Sequence, residues 1–193
     1  MSKEYIAIHD GRLIGRGDLK TLIRKTKSLG EDIEPFVLEW ENCRRVEFSW
    51  RGDADTVIQA LEQPDPEPVA RRGRPKLGVK AKEVTLLPRH WEWLATQRGG
   101  ASVTLRRLVD HAMKHASPEQ KITEKQNQLY ALMSIFADEP GFEEASRAMY
   151  RNSRISFTAA IASWPEEIRT LMMEKFDEIG QLHDGPNDDQ TNL

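Results

Sequence analysis

The apolar positions fall into three regimes along the chain. Over residues 5–61 they come in short runs separated by turn residues. "YIAIH" is β-prone and ends at Asp10-Gly11, a hairpin signal, so "RLIGRG" reads as the returning strand. Asp18 stands where a helix N-cap is favoured. Leu19, Leu22, Ile23 and Thr26 then share one helical face up to Gly30. "PFVLEW" and "RVEFSW" predict a second hairpin turning at residues 41–44, with Val46, Phe48 and Trp50 on one side of its second strand. Asp53 can cap a short helix through Leu61. The expected order is ββαββα.

Pro64, Pro66 and Pro68 alternate with acids, which excludes helix and sheet and gives a stiff extended linker. The second regime begins near residue 80. "KEVTLL" is a short β-prone run, and Pro88 suits the first position of a helix. Trp91, Leu94 and Ala95 make its apolar stripe, and Arg98-Gly99-Gly100 stops it. Ser102 is placed to cap a second helix carrying Leu105, Leu108, Val109, Ala112 and Met113 at helical period. The third regime is helical throughout. Leu129, Leu132, Met133 and Phe136 share one face, and Glu139-Pro140-Gly141 breaks that helix. Helices are expected at about 141–150 and 155–163, and from Pro165 to Gly180, before a polar tail. The pattern predicts an α+β fold in five segments. They are a module over 1–62, a linker over 63–79, a strand-helix-helix unit over 80–116, a helical region over 117–182 and a disordered tail over 183–193.

Charge changes this picture more than composition does. The chain has 193 residues, 31% charged and 38% hydrophobic, with a net charge of −3. That total conceals a reversal. Residues 71–115 hold 11 Lys/Arg and 3 Asp/Glu, a net of +8. The segments on either side are acidic, at −4 and −7. A basic block between acidic ones points to a polyanionic partner for the middle of the chain. The single cysteine, Cys43, excludes an intramolecular disulfide framework and a cysteine-based zinc site. The sequence shows no signal-peptide pattern and no apolar run long enough for a membrane span. The expected location is therefore the cytoplasm, at the nucleoid if the chain binds DNA.

"RRGRPK" sets long cationic side chains on a narrow segment that cannot be helical. Such a segment can lie along an A·T-rich minor groove, where the negative potential is strongest; it can equally serve as a soluble tether. It resembles an AT-hook core. The six cations Arg71, Arg72, Arg74, Lys76, Lys80 and Lys82 would grip phosphate or groove. In "KEVTLL", Val84 and Leu86 fall on one face, and Glu83, Thr85 and Leu87 on the other. A lone strand of this length is not stable in water, and pairing with its copy in a second chain would supply the missing partner.

Basic arm, strand, helix, Gly-Gly turn and helix in this order resemble the ribbon-helix-helix family of bacterial DNA-binding proteins, on "VTLLP" and "GGASVTLRRLVDHA". The resemblance implies an intertwined homodimer whose two-stranded ribbon enters the major groove of double-stranded DNA. It places Glu83 and Thr85 at the bases, and Ser102 and Thr104 near the backbone. It places Val84, Leu86, Trp91, Leu94, Leu105, Leu108 and Val109 in the dimer core. One departure is clear. Members of that family usually carry Arg, Lys, Asn or Gln on the outward ribbon face, where this chain has Glu83 and Thr85. The whole chain also resembles a bacterial family of unassigned function, on "IHDGRLIGRG", "GRPKLGVKAKEVTLLPRHWEWL", "EPGFEEASRAMY" and "SWPEEIRTLM".

The expected function is that of a homodimeric DNA-binding protein, a transcriptional regulator. The alternative is an adaptor or antitoxin-like protein in which the acidic C-terminal helices hold a protein partner, through a groove of Tyr130, Met133, Phe136 and Met149. Those residues fit an ordinary core equally well. No cofactor, metal or catalytic activity is expected. His111 and His115 at i,i+4, with His90 and Asp110, lack a His-Glu-x-x-His pattern and read as a surface pair. Arg44 and Arg45 beside Cys43 could lower its thiol pKa. Gly15 and Gly17 are turn residues rather than a phosphate loop.

Overall fold

The computed structural model describes residues 3–62 and 82–184. Its elements are β1 (Tyr5–His9), β2 (Arg12–Gly17), α1 (Leu19–Leu29), β3 (Phe36–Glu39), β4 (Arg44–Arg45), α2 (Ala54–Glu62), α3 (Pro88–Ala95), α4 (Gly100–Lys114), α5 (Pro118–Met133), α6 (Phe142–Tyr150), α7 (Arg154–Ala160) and α8 (Glu166–Asp184). The fold is mixed α+β, with one antiparallel sheet in the order β2-β1-β3-β4. The chain forms two compact units. Unit 1 joins residues 1–65 to residues 118–193, and unit 2 is the intervening 66–117. The stretches read separately along the sequence, 1–62 and 117–182, therefore meet in one body.

Unit 1 is organised around β1. Asp10 and Gly11 both take positive φ, +47° and +70°, the geometry that lets a two-residue turn match the strand twist. The hairpin register slips between Ala7 and Ile8, a bulge that admits one extra residue in β2. β1 is covered on both faces. Ile6 and Ile8 join Leu38, Trp40 and the helices α5 to α8 in one core, through Leu129, Met133, Phe157, Met172 and Phe176. Ala7 and Val37 face the other way, onto Leu22, Ile23, Val57 and Ile58 of α1 and α2. A strand buried on both sides needs no polar alternation, which is why "YIAIH" carries so little of it.

Local chemistry sets the ends of these elements. Asp18 accepts the Thr21 N–H at 3.0 Å, and Asp53 accepts the Thr56 N–H at 2.8 Å, so both expected caps form. The second hairpin is shorter than its sequence implies. Only Arg44 and Arg45 pair as β4, and the Val46 N–H bonds the Val37 carbonyl at 2.8 Å just beyond them. Val46, Phe48 and Trp50 leave the sheet to pack over α1 and α2, and Lys27 Nζ donates to the Trp50 carbonyl at 2.6 Å. Helix α8 also departs from expectation, running past Gly180 to Asp184. The expected break at Glu139-Pro140-Gly141 does form, with Gly141 as the N-cap of α6. Its φ is +89°, and a Cβ built there would lie 2.0 Å from the Ala160 carbonyl oxygen. Nearby, the Trp164 indole N–H donates to the Pro140 carbonyl at 2.8 Å.

A polar chain ties the sheet to α8. The ring of Trp40 has Arg16 at 4.3 Å and Lys175 at 4.4 Å from its centroid. Arg16 pairs with Glu4 and Glu174, and Lys175 with Glu178, which also takes Lys125 at 2.6 Å. Lys175 is almost fully buried, so the Glu178 carboxylate is what makes its charge tolerable there.

Candidate nucleic-acid interface

Residues 71, 72, 74, 76 and 80 of the basic arm (Arg71, Arg72, Arg74, Lys76 and Lys80) lie outside the described residues. From Lys82 onward unit 2 can be followed. Residues 82–87 pair with no strand among the described residues. Lys82, Glu83, Val84 and Thr85 are exposed, and Leu86 is half-buried. Leu87 stays extended at φ −65° and ψ 151°, and Pro88 then begins α3. This conformation suits the residue that precedes a proline.

The α3–α4 turn follows the Gly-Gly signal. Gly99 and Gly100 both have positive φ, +92° and +73°, and a Cβ on Gly99 would stand 3.1 Å from Val103 Cγ1. Two roles expected of this turn need correction. Gly99, not Ser102, is the N-cap of α4, and no side chain caps the helix. The helix starts three residues earlier than the Ser102 capping pattern implies, because glycine reaches the left-handed region without strain. Ser102 sits exposed in the first turn, where its carbonyl accepts the Arg106 Nε–H at 3.0 Å. Thr104, expected near a DNA backbone, is only 2% exposed, so its hydroxyl is turned away from solvent.

The apolar set of unit 2 is mostly uncovered. Leu94 alone is a buried hydrophobic residue among the described residues of this unit. Leu86 and Leu105 are half-buried. Val84, Trp91, Leu108 and Val109 keep between 44% and 57% of their surface exposed. At 100° per residue, Leu105, Leu108, Val109, Ala112 and Met113 form one continuous face of α4. Trp93 and Val103 are similarly open, and Met113 is more so. Trp93 and Val103 fall off the i,i+3,i+4 stripes used to read the sequence, so periodicity gave no sign of them. A contiguous open apolar face of this kind is uncommon on a self-sufficient domain.

Other candidates resolve differently. Met133, Phe136 and Met149 are buried in the unit 1 core, the ordinary-core reading of these residues rather than the groove; of the four, only Tyr130 is exposed, beside Phe142 at 6.0 Å between centroids. Burial pushes the Cys43 thiol up to about 11, the reverse of what Arg44 and Arg45 suggested. Both arginines are exposed, whereas the Cys43 sulfur lies inside, 3.9 Å from the Trp40 carbonyl oxygen. Among the described residues no three His, Cys, Asp or Glu side chains are grouped to hold a metal ion. No described helix is long and apolar enough to cross a membrane.

A family model described as "Uncharacterized protein conserved in bacteria (DUF2239)" matches residues 4–175 of the chain. No curated protein and no solved structure gives a significant match.

Proposed function

Because the chain belongs to this bacterial family, whose description assigns no activity, we propose its function from its own residues: a homodimeric DNA-binding protein that acts as a transcriptional regulator. Unit 2 pairs with its copy through the open apolar face. Residues 82–87 of two chains then form the two-stranded ribbon of the ribbon-helix-helix arrangement, with Glu83 and Thr85 outward. The basic arms lie on the duplex beside it.

The observation that carries this reading is the coincidence of two properties in one segment. The stretch with a net charge of +8 is also the one where most of the described large apolar residues stay exposed. Each property alone has a common explanation, in a solvated linker or a protein-docking face. Together they suit an oligomer built to meet a polyanion. The open N-terminus of α4 adds backbone N–H groups with no capping side chain, the kind of group that meets phosphate well.

The test is titration of the full chain into fluorescent mixed-sequence and A·T-rich duplexes, read by anisotropy at 50 and 200 mM salt. About six phosphate contacts across two arms would reduce affinity by ~10³ between those salt concentrations. A preference for A·T-rich duplex would assign the arm to the minor groove. Absence of binding at the lower salt would reject the reading, and the apolar face would then be assigned to a protein partner, as in an adaptor.

A further inference from the structure

We infer that α4 carries a second polyanion contact along its side: Arg106, Arg107 and Lys114, with His111 and His115 beside them, grip the phosphate backbone flanking the ribbon site. This inference rests on the DNA-binding reading above.

The placement follows from helix geometry. At 100° per residue, Arg107, Asp110, His111 and Lys114 fall on the side of α4 away from the Leu105–Val109–Ala112 face, and Arg106 flanks that face beside Met113. They line one shallow surface together with Val103 and His115, and every one of them is exposed. Pairing through the apolar face would therefore leave this surface outward in both chains. Arg106, Arg107 and Lys114 make no ion pair among the described residues. In unit 1, by contrast, Arg16, Lys20, Arg147 and Arg154 each meet a carboxylate. Asp110 is the one acid on the α4 surface, so three permanent cations outweigh it.

The two histidines complete this surface. Their rings stack at 4.2 Å between centroids, and His115 Nδ1 lies 2.9 Å from the His111 carbonyl oxygen. Helix α3 is the element packed against α4, and its charged groups Arg89, His90 and Glu92 do not line this surface.

This contact differs from the one at the helix start. The first N–H groups of α4 point along its axis, whereas the cationic face points across it. His111 lies about three turns, or ~16 Å, from Gly100. The side contact therefore reaches backbone beyond the ribbon site and lengthens the footprint. An acidic peptide would match the same charges. The +8 of the surrounding segment favours the denser charge of a nucleic acid.

The experiment compares short and long duplexes at low and high salt, for wild type and for Arg107→Ala with Lys114→Ala. Both positions are exposed, so circular dichroism should show an unchanged fold. The variant should lose ~10²-fold of the affinity change between 50 and 200 mM salt, the share expected of four phosphate contacts, two from each chain. That loss should appear on the long duplex only. A wild-type salt response in this variant, with wild type still binding DNA, would overturn the side contact and leave the ribbon reading standing. No binding of wild type to either duplex removes both.

Discussion

Units 1 and 2 use their apolar residues in opposite ways. In unit 1, Ile6, Ile8, Leu129, Met133, Phe157 and Ile168 are at most 1% exposed, and both faces of β1 are closed by helices of the same chain. In unit 2, Val84, Trp91, Leu108 and Val109 stay about half open, and two helices cover little more than Leu94. Segments of similar local hydrophobicity thus end in a finished core in one case and an unfinished one in the other. The difference lies in what each segment meets. The sheet of unit 1 receives helices from both ends of the sequence, whereas α3 and α4 have chiefly each other. The described residues of the chain leave the rest of unit 2 open.

The largest effect should come from Phe157→Ala, at the centre of the unit 1 core and stacked on Phe176 at 4.6 Å. It should lower unfolding free energy by about 3–5 kcal/mol, independently of protein concentration. Gly141→Ala should cost about 3 kcal/mol or more by urea titration, because its Cβ meets a backbone carbonyl and its φ is +89°. Leu108→Asp should behave oppositely. The residue is 45% exposed, so the isolated chain should lose little stability. Burial of its carboxylate at an interface should abolish self-association and duplex binding together, seen by sedimentation and anisotropy. If Leu108→Asp unfolded the chain as Phe157→Ala does, the contrast between the units would be lost.

A smaller effect separates the units by pH. Burial raises the Glu178 carboxyl, but hydrogen bonds from Lys125 and Lys175 outweigh it and hold the group below its ordinary value. A group depressed on folding stabilises above its unfolded pKa, and that stability is lost as pH falls through the folded value. Unit 1 should therefore weaken below about pH 4. Glu178→Gln should show a lower Tm at neutral pH and a shallower fall on acidification. Smallest in stability terms is Arg72→Ala with Arg74→Ala. It should leave Tm unchanged, weaken duplex binding and flatten its salt dependence.

Much of the fold was legible in short-range signals. Asp10-Gly11, the Asp18 and Asp53 caps, Pro88 and the Gly99-Gly100 turn each specify local backbone with little help from tertiary contacts. The errors arose where distant residues decide. "RVEFSW" has strand alternation, yet Val46, Phe48 and Trp50 are held by α1 and α2 rather than by a neighbouring strand. Gly180 reads as a stop, but α8 packs along α5 and continues through it. Burial of Cys43 and the joining of residues 1–65 to residues 118–193 depend on contacts that no local pattern encodes. The candidate interface was legible as charge and periodicity. The cationic side of α4 became visible only once the apolar face opposite it was fixed.

In the proposed reading, unit 2 is half of a DNA-binding unit completed by a second chain. The decisive test is sedimentation equilibrium of the full protein with a fluorescent duplex at low salt. The predicted complex contains two chains per duplex and dissociates as salt rises. One chain per duplex, or no complex while the protein remains folded, would contradict it.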